Sequence, residues 1–151
     1  MLAHMLVYQL TAEDRELLDV AVRRFRRIEV ADHRPFLTDP ATVVFVALDG
    51  NDLVGWAWGL RQRHVAGYSQ VQLYELEVVR AARRRGVGRA LVTAMLELVV
   101  CEGHRKMWLF TDENNAAAKA LYESVGGGPS AHDDAAYWWT FDDAERRTGQ
   151  G

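Results

Sequence analysis

The 151 residues, 49% apolar and 26% charged, fit a single folded domain and exclude a disordered chain. No apolar run reaches the ~18 residues of a membrane helix. Residues 1–10 lack the charged-then-apolar pattern of a secretory signal, and the single cysteine, Cys101, excludes an intrachain disulfide, so the expectation is a cytoplasmic protein with no membrane partner. The net charge of −3 hides a division: residues 80–89 hold five of the eighteen Lys and Arg and no acid, leaving thirteen bases against twenty-one acids elsewhere. This disfavours a broad basic footprint for nucleic acid and favours one local anion site on an acidic body.

In chain order, residues 5–10 form a short apolar run, read as a strand. Thr11 with Asp14 three residues on has the pattern of a helix N-cap. Leu17, Leu18, Ala21, Val22, Phe25 and Ile28 then recur at helical spacing. Arg23, Arg24, Arg26 and Arg27 fall on the other side and read as a solvated face. Pro35 and Pro40 mark a loop or short helix. Residues 42–48 form a β-branched strand, Asp49-Gly50-Asn51-Asp52 a hairpin turn, and residues 53–60 the returning strand. Gly55 and Gly59 within it mark a bulge or a close backbone approach. Residues 71–79 form a further strand.

Residues 86–102 read as a helix whose buried stripe is Val87, Ala90, Leu91, Ala94, Met95, Leu98 and Val99, with Cys101 packed in the core. A strand at 106–110, a helix at 115–125 closed by Gly126, a last strand at 136–141 and a polar tail at 142–151 complete the chain. The order β-α-β-β-β-α-β-α-β argues against a regular βαβ repeat. It predicts an α/β (α+β) fold with a mixed, mostly antiparallel sheet flanked by helices.

The segment from Val78 to Arg89 joins a strand to a helix. Gly86 and Gly88 remove side chains where a ligand approaches the backbone, and free amides and the helix dipole add positive potential there. Arg83, Arg84, Arg85 and Arg89 supply charge-assisted contacts. The segment is either a phosphate or pyrophosphate site or a tight turn with solvated arginines. A dinucleotide fingerprint fails because position 91 is Leu, and a P-loop fails because no Lys-Ser/Thr follows.

A second motif, Asn115-x-x-Ala118-x-x-Leu121-Tyr122, lies on the next helix. Together with Arg83-x-x-Gly86-x-Gly88 it resembles the paired acetyl-CoA motifs of the GNAT superfamily of N-acetyltransferases, and the resemblance extends over about residues 5–141. Tyr74-Glu75-Leu76-Glu77-Val78, the arginine-glycine loop, Asp112 and the acid-rich end look like the small aminoglycoside 3-N-acetyltransferases. There, Asp is expected at the position of Glu75 and Ala at that of Glu77, and the stretch matching residues 30–40 looks longer.

The resemblance implies a sheet of six to seven strands with splayed central strands. It implies acetyl-CoA as cosubstrate, coenzyme A as product, no metal, a homodimer, and a cationic amine as acceptor. The favoured acceptor is an aminoglycoside modified at its 3-amino group. Arg83, Arg84, Arg85, Gly86, Val87, Gly88 and Arg89 would hold the phosphates. Val78 and Val79 would pair with the pantetheine arm, the Val78 amide taking the oxyanion. Ala118 lies on the cosubstrate side, and Asn115 either bonds the pantetheine arm or caps its helix. Tyr122 would protonate the departing thiolate, its alternative being an aromatic packing role.

Glu75 and Glu77 share one face of the strand at period two, roughly 7 Å apart if the strand is unbulged. Two carboxylates are unexpected on an apolar central strand. Glu75 matches the family's acidic position and is expected to accept the amine proton through water or to bind the acceptor. Glu77 is open between base, acceptor contact and structural acid. Both have ion pairing with Arg61 or Arg63 as the alternative. Asp112 is the expected acceptor contact at a strand end. Glu29, Asp32, Glu113, Asp133, Asp134, Asp142 and Asp143 either line the cleft or are solvated. The five tryptophans read mostly as core, with a few as pocket walls, and the five histidines show no metal-ligand spacing. Two competing readings are a non-catalytic acyl-CoA module and a nucleic-acid module using residues 80–89. Within the enzyme class the alternative acceptors are a polyamine, another small amine or a protein N-terminus.

Overall fold

In a computed structural model, which describes residues 4–130 and 137–139, the elements run β1 (Met5–Gln9), α1 (Arg15–Arg26), α2 (Arg34–Leu37), β2 (Thr42–Asp49), β3 (Asp52–Arg63), β4 (Ser69–Val78), a short 3-10 turn (Arg80–Ala82), α3 (Val87–Cys101), β5 (Met107–Trp108) and α4 (Ala116–Ser124). The strands form one sheet in the order β1-β2-β3-β4-β5, antiparallel except for the β4–β5 pair. The mixed α/β class is as expected. Five strands are present among the described residues where six to seven were anticipated. The last strand, at 136–141, falls largely outside the described residues, and 137–139 carry no strand. The tail at 142–151 lies outside them altogether.

Alternation along the strands divides the core between the two faces. One face packs Val43, Phe45, Ala47, Ala57, Val71 and Leu73 against Val87, Leu91, Met95 and Leu98 of α3. The other packs Val44, Val46 and Trp56 against Leu18 and Ala21 of α1, with Phe25 stacked on Trp56. Leu91 and Met95 have no exposed surface, so full burial of each contributes about 1.5–3 kcal/mol.

The central irregularity is in β4. Trp58 pairs with Glu75 but Gly59 pairs with Leu73, so Tyr74 is an extra residue bulged from the ladder. Val71 and Leu73 face α3 before it, and Leu76 and Val78 face α3 after it. The bulge therefore switches parity, so that Glu75 and Glu77 avoid the α3 core. Gly59 makes room for the close approach, because a Cβ there would overlap the Gln72 carbonyl oxygen.

Three local expectations are corrected. Thr11 is not the N-cap: α1 begins at Arg15 with Asp14 in the cap position. Instead, Asp14 Oδ2 accepts the Thr11 amide at 2.7 Å and closes a turn before the helix. Cys101 is exposed, not core. It ends α3 on the side of Glu97 and Val100, away from the sheet. The α1 arginines are not simply solvated, since Arg24 donates to Asp52 and Leu53 and Arg26 reaches β4.

Gly59→Ala is expected to destabilise the domain by about 1–3 kcal/mol, as overpacking against backbone does. Urea unfolding checks it: the midpoint should fall while the slope with denaturant stays constant.

Candidate functional site

β4 separates from its parallel neighbour early. Only Val71 and Gln72 pair with β5, so the strand edge from Leu73 to Val78 is uncovered by β5. The Val79 amide donates to the Val54 carbonyl on β3 at 2.8 Å. Alternation of the ladder then turns the Val78 amide to the uncovered edge. Of the two valines, Val78 thus offers a donor without a partner among the described residues, while the Val79 amide is already committed.

Beyond the strand, Arg83 extends back and donates from Nε to the Val78 carbonyl at 3.1 Å. Arg84 adopts a left-handed conformation (φ 60°) and Gly86 another (φ 83°). Gly86 occupies the N-cap position of α3 and caps it with no side chain. A Cβ at Gly86 would meet open space, so its selection follows from backbone conformation. The amides at the start of α3 have no intrahelical acceptors, and they open beside exposed Arg84 and Arg85. Val87 itself is buried: its side chain anchors the helix start while its backbone remains at the loop.

At Gly88 the space a Cβ would take belongs to another helix. A Cβ there would lie 3.1 Å from Leu121 Cδ2, so Gly88 lets α4 dock closely on α3. Arg89 reinforces the contact by donating to Ser124 Oγ at 3.2 Å. Asn115 caps α4, its Oδ1 accepting the Ala118 amide at 3.0 Å. That leaves the Asn115 side-chain NH2 to donate elsewhere. Tyr122, the residue after Leu121, is half-buried against the α3-side core, and burial raises its phenol above the ordinary value. The group therefore keeps its proton at neutral pH.

On the opposite face, Arg26 Nη1 at the end of α1 donates to Glu75 Oε1 at 2.9 Å. This is the ion pair that sequence reasoning sought with Arg61 or Arg63. Arg61 is instead engaged by Glu102 at 2.5 Å and by the Thr42 carbonyl. Glu77, cross-strand from Trp56, makes no hydrogen bond or ion pair among the described residues. Partial desolvation and then the Glu75 charge push its carboxyl above the usual range, opposed by Arg26 and Arg83. Tyr74, exposed on the bulge, stacks on Trp58 with centroids 4.4 Å apart, and Phe36 of α2 meets Trp58 edge-on.

Residues 6–127 match the acetyltransferase (GNAT) family. The chain belongs to the GNAT family. That family uses acetyl-CoA.

Mycothiol acetyltransferase of Renibacterium salmoninarum is 30% identical over 83 residues, 54% of this chain and 25% of that protein. Ribosomal protein bS18-alanine N-acetyltransferase of Escherichia coli is 37% identical over 57 residues, 38% of each chain. The chain spans about a quarter of the length of the mycothiol acetyltransferases it matches.

Two solved structures share the fold. An aminoglycoside acetyltransferase from an uncultured soil metagenomic sample, in complex with sisomicin, superposes with a TM-score of 0.74 at 20% identity, over 91% of this chain and 96% of that one. An aminoglycoside N-acetyltransferase in complex with CoA gives 0.76 at 18% identity, over 91% and 95%.

The other sequence-selected acids separate into local contacts. Asp112 is exposed and holds the turn into α4, accepting the Asn114 amide at 2.8 Å. Asp32 bonds Arg34, and Glu113 bonds Lys119. Glu29 lies 3.8 Å from Arg23. Asp133, Asp134, Asp142 and Asp143 lie outside the described residues. Sequence reasoning missed Arg26 as a site residue. Its one available signal was the position of Arg26 at the end of an amphipathic helix, which does not reveal a partner 49 residues away.

The raised Glu77 carboxyl has a thermodynamic consequence. A group whose folded pKa lies above its unfolded value favours the fold below the unfolded pKa and loses that contribution as pH rises through the folded one. Glu77→Gln is therefore expected to raise Tm at neutral pH, the gain closing as pH falls below the usual carboxylate range. Thermal melts from pH 3 to 8 check the sign; a gain present only at low pH would contradict it.

Proposed function

We propose that this domain is an acetyl-CoA-dependent N-acetyltransferase that acts on an amine of a cationic small molecule, an aminoglycoside being the favoured acceptor and its 3-amino group the favoured position. The uncovered β4 edge carries the reading. It presents the Val78 amide between a phosphate-suited loop on one side and an acidic, aromatic face on the other. Acetyl-CoA supplies an activated thioester. The start of α3, with Arg84 and Arg85, binds its phosphates, and Asn115 and Ala118 flank its arm. The Val78 amide stabilises the negative charge that develops on the acetyl oxygen. Tyr122 keeps its proton until sulfur requires it.

The acidic body attracts a cation, and the stacked Tyr74–Trp58 pair gives its apolar parts a wall. A second reading has one observation in its favour. Arg26 neutralises Glu75, so the face offers fewer unpaired carboxylates than a polycation would engage. That suits a small amine with one positive charge, or a peptide N-terminus.

A coenzyme A release screen across aminoglycosides, polyamines and N-terminal alanine peptides tests the proposal, with the acetylated nitrogen of any product located by NMR. Failure of every amine in the panel to release coenzyme A would favour a non-catalytic acyl-CoA module. With the best acceptor, Tyr122→Phe is expected to lower kcat by about tenfold or more, the scale of general-acid loss. Acetyl-CoA affinity by calorimetry should be nearly unchanged; an unchanged kcat would reduce Tyr122 to packing.

A further inference from the structure

Two carboxylates share the acceptor face of β4, and the structure treats them unequally. Glu75 is held: Arg26 Nη1 lies 2.9 Å from its Oε1, and its side chain is only 17% exposed. The Glu75 oxygen is thus already occupied by a guanidinium and is not open to an incoming amine. Glu77 is free of any hydrogen bond or ion pair among the described residues and is exposed. It immediately precedes Val78, whose amide faces the uncovered edge. The Tyr74 bulge places it there: in an unbulged strand, parity would send its side chain to the α3 face with Leu73.

We infer that Glu77, not Glu75, is the residue that takes the proton from the acceptor amine, and that the Arg26–Glu75 ion pair is a positioning device that leaves Glu77 available. The inference rests on the acetyltransferase reading and names its base. It departs from the expectation that Glu75 fills that role.

Glu77 takes one proton from the acceptor ammonium, which frees the nitrogen lone pair. The N–C bond forms as the C–S bond breaks, and Tyr122 gives its phenolic proton to sulfur. The second nitrogen proton passes through water and restores Tyr122, and Glu77 then releases its own to solvent. The sum is ammonium plus thioester giving amide, thiol and one proton.

The charged groups around Glu77 give a signature that packing alone would not produce. Glu75 on the same strand raises the Glu77 carboxyl, while Arg26 from α1 and Arg83 from the loop lower it. Removing Arg26 and removing Glu75 must therefore move Glu77 in opposite directions.

Side-chain carboxyl NMR titration of the unliganded protein reads this without turnover. The Glu77 midpoint is expected to rise in Arg26→Ala and to fall in Glu75→Gln. The pH profile of kcat/KM, taken with one fixed amine, reads it in catalysis. The acid limb should move up in Arg26→Ala, move down in Glu75→Gln, and disappear in Glu77→Gln with a loss of about a hundredfold, the scale of general-base removal. Glu77→Asp should restore part of kcat.

A wild-type protein that turns over normally while Glu77→Gln keeps its rate and acid limb overturns this inference and leaves the acetyltransferase reading standing. The same holds if Glu75→Gln abolishes the limb. If wild-type protein releases no coenzyme A with any amine, the acetyltransferase reading falls and this assignment falls with it. Circular dichroism and acetyl-CoA calorimetry on each variant separate these results from misfolding.

Discussion

The structure depends on one extra residue in a central strand. Without the Tyr74 bulge, the alternation that buries Val71 and Leu73 would carry Glu75 and Glu77 into the α3 core and turn Leu76 and Val78 outward. Burying two carboxylates carries an effective penalty of several kcal/mol per ion. The bulge removes that penalty at the cost of a locally broken ladder, and Gly59 opposite it is what allows the two backbones to close. The same few residues then define a chemical boundary, with apolar side chains toward α3, carboxylates toward α1 and, among the described residues, an unpaired strand edge between them.

The helices are arranged about that boundary. On the α3 side, Gly86 bends the chain into a helix whose first amides are uncapped. Gly88 lets Leu121 approach and so fixes α4 beside them. Tyr122 follows Leu121, so its placement is a consequence of a glycine on another helix. On the α1 side, the helix sends Arg26 across to Glu75, linking the first helix of the chain to the strand that carries the proposed chemistry. The site is thus assembled from separate parts of the chain, which explains why its members are scattered between residues 26 and 122.

Sequence alone revealed what local patterning encodes. The apolar stripe of α3, the Asp49–Asp52 turn and the paired Arg83–Gly88 and Asn115–Tyr122 motifs all lie within short windows. The family was legible from them before any fold was known, and β2, β3 and β4 agree with their expected spans to within a few residues. Relations between distant residues were not legible.

A period-two reading of residues 71–79 places Glu75 and Glu77 on a common face but cannot show that one bulged residue exchanges which face it is. Arg26 looks like any exposed helix arginine until the fold brings it to β4. Gly88 was read as room for a ligand, and the fold shows that the missing side chain also makes room for Leu121. In each case the deciding quantity is a tertiary contact, which residue type and spacing do not record.

Amide hydrogen exchange at Val78 and Val79, with and without acetyl-CoA, is the most direct test of the uncovered β4 edge as the cosubstrate site. The Val79 amide, held by the Val54 carbonyl, should be protected in both states. The Val78 amide should exchange readily in the free protein and become protected on binding. Protection of Val78 without acetyl-CoA, or saturating binding that leaves its exchange unchanged, would contradict the account.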